Sequence, residues 1–112
     1  MLLAEHIRWV TMRAYLGLGS NVGNRSVWLR RGLDGLHSAG LQLGSVSSFY
    51  LTEPVGDREL PWFVNCAAEV HHPPAPRALL DAALQVEEAC GRRRSAAEVE
   101  ARTLDVDILL CY

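Results

Sequence analysis

The chain has 112 residues, 49% of them hydrophobic and 21% charged, with a formal net charge of −2. That is the size and balance of one small globular domain with a modest core, and it excludes a disordered, collagenous or low-complexity chain. The near-neutral charge gives no basic field for DNA or RNA, so no nucleic-acid partner is expected; all eleven basic residues are Arg, which excludes a phosphate-loop lysine or a lysine Schiff base.

Residues 1–11 read as an N-terminal extension, with Met12 just ahead of the first strand pattern. Residues 13–19 suit a buried strand running into a glycine-punctuated loop, 19–24. Asn24 or Ser26 can cap the helix that follows, whose apolar stripe is Leu29, Leu33 and Leu36, with Gly32 beside it for close packing. Gly40 ends that segment. Residues 45–51 alternate and carry strand formers, and a loop rich in Pro, Gly and charge follows to about Pro61.

Residues 62–70 read as the next strand. His71 and His72 then open a proline-rich turn, where a solvated role is expected for both. Pro76 is placed for the first turn of a helix through about Cys90, with Leu79, Leu80, Ala83, Leu84 and Val86 mostly on one side. Gly91 stops it, an arginine-rich loop follows, and 103–110 form the last strand. The order β-α-β-β-α-β predicts an α+β, ferredoxin-like fold: a four-stranded antiparallel sheet with two helices on one face.

No apolar run approaches 18 residues, and the start lacks the basic-then-apolar order of a signal peptide. A cytoplasmic protein without a membrane partner is the expectation; nothing in the sequence sets its oligomeric state. Three scattered cysteines, Cys66, Cys90 and Cys111, are expected to be reduced and mostly buried.

The segment Arg102-Thr103-Leu104-Asp105-Val106-Asp107-Ile108-Leu109-Leu110 is the most informative. Strand alternation turns Leu104, Val106, Ile108 and Leu110 one way and Asp105 and Asp107 the other. Two such carboxylates, roughly 6–7 Å apart at Cα, can share one divalent cation or a close pair. Asp is disfavoured in strands and like charges on one face repel, so a purely solvated pair is an uncomfortable reading. Gly91-Arg92-Arg93-Arg94 and Arg102 put a cationic loop beside these acids, which suits a polyphosphate. Phe63 and Asn65 share a strand face and offer an aromatic plane beside a bidentate amide, fit for a flat heterocycle. Gly17-x-Gly19-x-x-x-Gly23 is one residue too long for a dinucleotide fingerprint, and no parallel crossover follows it.

Together these segments resemble the 6-hydroxymethyl-7,8-dihydropterin pyrophosphokinase family. The matching stretches are Ala14-Tyr15-Leu16-Gly17-Leu18-Gly19-Ser20-Asn21-Val22-Gly23-Asn24-Arg25, Val46 to Gly56, Phe63-Val64-Asn65, Glu87 with Gly91-Arg92-Arg93-Arg94, and Arg102 to Leu109. The resemblance implies transfer of pyrophosphate from ATP, as co-substrate, to the hydroxymethyl group of 6-hydroxymethyl-7,8-dihydropterin, releasing AMP, in folate biosynthesis. It implies that Asp105 and Asp107 hold two Mg²⁺ ions, and that Arg92 and Arg102 act catalytically on the triphosphate.

It places Glu87, Arg94 and Ile108 with those arginines in the nucleotide site. Phe63 would stack on the pterin, Asn65 would bond its edge, and Thr52 and Val55 would close around the ring, with loops 51–62 and 91–102 as lids. The family usually has Trp and Pro where this chain has Val99 and Ala101, Gln in place of Leu60, and often a polar nucleotide contact in place of Leu84. Its members continue past the acidic strand, so residues 12–112 are expected to be a domain lacking the family's C-terminal segment. The alternative is a truncated, weak or inactive pterin- or nucleotide-binding module of the same fold.

Overall fold

The computed structural model describes residues 13–54, 56, 61–91 and 103–111, with Leu110 and Cys111 described by backbone alone. In chain order these residues form β1 (Arg13–Ser20), α1 (Arg25–Ser38), β2 (Gln42–Val46), β3 (Tyr50–Thr52), β4 (Phe63–His71), α2 (Pro76–Ala89) and β5 (Asp105–Cys111). The sheet runs β2-β4-β1-β5, with β3 on the same edge of β4 as β2, and every pairing is antiparallel. This is the expected ferredoxin-like arrangement, with five strands among the described residues where four were expected.

The extra strand comes from a break in the predicted strand at 45–51. Val46 pairs with Ala68 and Tyr50 with Asn65, so four steps along one chain face three along the other. Ser47 bridges the gap. Its backbone N–H donates to Ala67 O, and its Oγ accepts from Ala67 N–H, both at 2.8 Å. A serine hydroxyl standing in for a backbone carbonyl keeps the ladder satisfied while the strand bends.

One face of the sheet meets both helices. Ala14, Leu16 and Leu18 of β1, Val64, Cys66, Ala68 and Val70 of β4, and Leu104 and Val106 at β5 are buried there with Leu29, Leu36, Leu79, Ala83 and Val86. Asn24 caps α1, its Oδ1 accepting from Val27 N–H at 3.4 Å. Gly32 allows α1 to approach closely, since a Cβ there would lie 2.9–3.1 Å from Leu104 and Leu18 side-chain carbons. Gly40 and Gly91 follow the two helices at positive φ.

On α2 the buried stripe is Leu79, Ala82, Ala83, Val86 and Glu87. Leu80, expected on that stripe, is exposed, because the helical period of 79, 83 and 86 turns it to solvent. Cys66 and Cys90 are unpaired and buried, and burial pushes the Cys66 thiol up to about 11 and raises that of Cys90. Among the described residues no helix is long and apolar enough to cross a membrane.

At the far end of the opposite face, β4 extends through His71, one residue further than the pattern implied, and this histidine is not a bare turn residue. Glu69, two positions earlier on the same face, contacts His71 Nε2, accepts from Tyr15 Oη at 3.1 Å and pairs with Arg13 Nη1 at 3.4 Å. The His71 contact, supported by Tyr15 and the backbone of Ser45, holds the Glu69 carboxyl below its ordinary 4.5 against the desolvation that opposes it.

A carboxylate lowered by folding stabilises the folded state above its unfolded value, and that contribution is lost as pH falls through the folded one. Glu69→Gln should therefore melt below the wild type near neutrality, and the gap should close as pH drops below 4.5. Melting curves over that range test this; a gap independent of pH would mean that the ionised carboxylate contributes nothing.

Candidate functional site

The face of the sheet opposite the helices carries Phe63, Asn65, Asp105 and Asp107 of the predicted site residues, and strand alternation places them there. Along β4, Val64, Cys66, Ala68 and Val70 are buried while Phe63, Asn65, Ala67, Glu69 and His71 are partly accessible. Along β5, Leu104 and Val106 face the core, Asp105 is half-buried and Asp107 exposed on the other side. Ile108 is half-buried and packs against the core.

β1 joins the two rows. Gly19 pairs with Asn65 on one side and with Asp105 on the other; Gly17 pairs with Ala67 and Asp107. Asn65 and Asp105 are thus two strand spacings apart, about 10 Å at Cα, across a strand that has no side chain between them. Thr52 of β3 completes the group: its Oγ1 accepts from Asn65 Nδ2 at 2.7 Å, and Tyr50 O accepts from the same nitrogen at 3.5 Å. Beyond β3 lies an open cleft of about 460 Å³ lined by Asn21, Gly23, Arg25, Leu51, Pro61 and Trp62. Arg25 Nη1 donates to Trp62 O across it.

A flat polar ligand can lie on this face with an amide and an aromatic ring at one end and a carboxylate pair at the other. The family model for 7,8-dihydro-6-hydroxymethylpterin-pyrophosphokinase matches residues 15–112. The chain belongs to that family. A 2-amino-4-hydroxy-6-hydroxymethyldihydropteridine pyrophosphokinase of Bacillus subtilis (strain 168) is 41% identical over 98 residues, covering 87% of this chain and 58% of the relative. Proteins of the same name are 37% identical in Methylorubrum extorquens (87% of this chain, 61% of the relative) and 38% identical in Mycobacterium tuberculosis (89% and 52%). The chain therefore spans between half and two thirds of the length of these pyrophosphokinase relatives.

Of the residues that the family resemblance singles out, Thr52, Phe63, Asn65, Asp105 and Asp107 come together on the open face. Val55, Arg92, Arg94 and Arg102 lie outside the described residues, as do Leu60, Val99, Ala101 and most of the two loops expected to act as lids. Glu87 is placed differently from an open nucleotide contact. It is 3% exposed, and its Oε2 accepts from Val106 N–H at 2.8 Å, between the two aspartates. Thr103 Oγ1 donates to Cys90 O at 2.8 Å. These two bonds clasp the end of α2 to the start of β5 and fix the height of the acidic pair. Sequence periodicity carried a signal for this, since Glu87 falls one turn beyond Ala83 on the buried stripe of α2.

Removing the Glu87 carboxylate leaves the Val106 N–H without that partner, at a cost of about 1–3 kcal/mol for a buried donor bonded to a charged group. Urea unfolding should show Glu87→Ala destabilised on that scale, with Glu87→Gln recovering part of the loss through its amide oxygen. A Glu87→Ala variant as stable as the wild type would show that the clasp holds nothing.

Proposed function

We propose that this chain carries the catalytic core for transfer of pyrophosphate from ATP to the hydroxymethyl group of 6-hydroxymethyl-7,8-dihydropterin, a step of folate biosynthesis. The observation that carries this reading is the open face on which Asp105 stands across Gly19 from Asn65, with Asp107 two residues along β5 and Phe63 and Thr52 beside the amide. In the reaction the hydroxymethyl oxygen forms a bond to the β-phosphorus, the bond from that phosphorus to the α,β-bridging oxygen breaks, and AMP leaves with the electron pair. The hydroxyl proton passes to solvent. No covalent enzyme intermediate is needed, so the protein acts by positioning and electrostatics.

The donor set fits Mg²⁺. Two carboxylates project from one strand face, Asp105 half-buried and Asp107 exposed. Such a site suits an ion that takes its remaining oxygens from phosphates and water. We assign Asp105 and Asp107 to two Mg²⁺ ions, which these carboxylates would hold and which would supply positive charge against that of the phosphates. In sequence, Arg92 directly follows Gly91 and Arg102 directly precedes Thr103, whose Oγ1 donates to Cys90 O. We assign both arginines to the triphosphate, where guanidinium forks bind phosphate oxygens and stabilise the charge that moves to the leaving group.

Arg94, Ile108 and Glu87 complete the nucleotide end in this reading, Glu87 by fixing β5 as well. Phe63 stacks on the pterin, Asn65 bonds its edge, and Thr52 and Val55 close that end.

The test is AMP formation by the chain with ATP, Mg²⁺ and 6-hydroxymethyl-7,8-dihydropterin. Asp105→Ala and Asp107→Ala should each lower turnover by about 100-fold or more, the scale of losing a charge-stabilising group, with little change in melting temperature because both side chains face away from the core. Unfolding of either variant would contradict the face assignment. Heat stabilisation by pterin without any AMP would instead favour a binding module without catalysis.

A further inference from the structure

Gly19 pairs with Asn65 on one side and Asp105 on the other, yet it has no side chain to offer. What it offers is room. A Cβ at this position would stand 2.9 Å from Asn65 Oδ1 and 3.4 Å from Phe63 Cδ1. The first distance is closer than Cβ atoms approach an oxygen, so the Asn65 carboxamide would have to move. It has little freedom to do so, because its Nδ2 is held on the other side by Thr52 Oγ1 and Tyr50 O. Tyr50 O can only accept, which fixes the NH₂ of Asn65 toward β3 and leaves Oδ1 over β1.

We propose that Gly19 is a positioning residue of the pterin end of the site. Its missing side chain is what lets Asn65 Oδ1 stand over β1 as an acceptor for an N–H donor on the edge of the bound heterocycle. This rests on the pterin reading of the previous subsection. It assigns to this glycine a role exercised through Asn65 and not through a side chain of its own. Gly17 supplies the control within the same strand and on the same face. The nearest atoms a Cβ there would meet are those of the Leu109 side chain, at 3.2–3.4 Å, and that exposed side chain can give way.

The experiment measures binding of 6-hydroxymethylpterin by calorimetry to the wild-type chain, Gly19→Ala, Gly17→Ala, Asn65→Ala and the Gly19→Ala/Asn65→Ala pair. Gly19→Ala and Asn65→Ala should each weaken binding about tenfold, the loss of one well-placed hydrogen bond, while Gly17→Ala binds as the wild type does. The double variant should be no weaker than Asn65→Ala alone, because residues that act through one contact are not additive.

The side-chain amide pair of Asn65 in a proton–nitrogen spectrum, assigned by its loss in Asn65→Ala, should shift in Gly19→Ala and not in Gly17→Ala. An unmoved amide in Gly19→Ala, or a full further loss of binding when Gly19→Ala is added to Asn65→Ala, overturns the proposal. If Gly19→Ala alone fails to fold, the double variant should recover its melting transition; a double variant that stays unfolded assigns Gly19 a backbone role and also overturns it. A wild-type chain that binds no pterin, or an Asn65→Ala variant that binds as well as the wild type, overturns the pterin reading itself and this proposal with it.

Discussion

A slip of one residue between β1 and β5 would send Asp105 and Asp107 into the core and Leu104, Val106 and Ile108 into solvent, because side chains alternate with a period of two. The same slip between β1 and β4 would bury Asn65 and expose Cys66. Both halves of the site therefore depend on the register of one central strand against two neighbours. That register is held by burial. Leu16, Leu18, Leu104 and Val106 are each almost wholly removed from water, and at about 1.5–3 kcal/mol apiece their exposure would cost as much as the whole net stability of a small domain, about 5–15 kcal/mol. The chemistry on the open face is anchored by hydrocarbon on the closed one.

The clasp at the end of α2 adds a second level of control. Register sets which way the aspartates point, whereas Glu87 and Thr103 set where β5 begins relative to the helix. A buried carboxylate spent on a backbone N–H is a costly choice for a protein interior unless its hydrogen bonds are made, and here one of them falls on the residue between the two acids. The clasp also holds Cys90 against Thr103, so the two described ends of the α2–β5 connection are joined by a direct bond, which limits its loop-closure cost.

The parts of the fold that strand and helix periods determine could be read directly. Alternation in 62–70 and 103–110 placed Phe63, Asn65, Asp105 and Asp107 on the open face because each strand has one apolar and one polar side. The parts that depend on a partner could not. Ser47 splits a predicted strand because its hydroxyl meets Ala67 N–H twenty residues away, and nothing local marks that. His71 looks like a turn residue until β4 pairs with β1 and brings Tyr15 and Arg13 to Glu69 beside it. The helical period puts Glu87 on the buried stripe of α2, but its partner, the Val106 N–H, appears only when α2 packs on β5. Gly19 is visible in a glycine motif, but its use appears only when the neighbouring strand supplies Asn65.

Cys66 lies beside Asn65 in sequence and on the reverse side of the same strand, 1% exposed and with its thiol raised to about 11. A thiol so placed reacts only when the sheet parts and the sulfur both reaches water and ionises. Its alkylation is therefore a clock on the reverse of the candidate site: the rate counts openings that expose this one sulfur, directly behind Asn65. Any molecule that rests on Asn65 from the front slows that clock from behind, in proportion to how much it holds the strand closed.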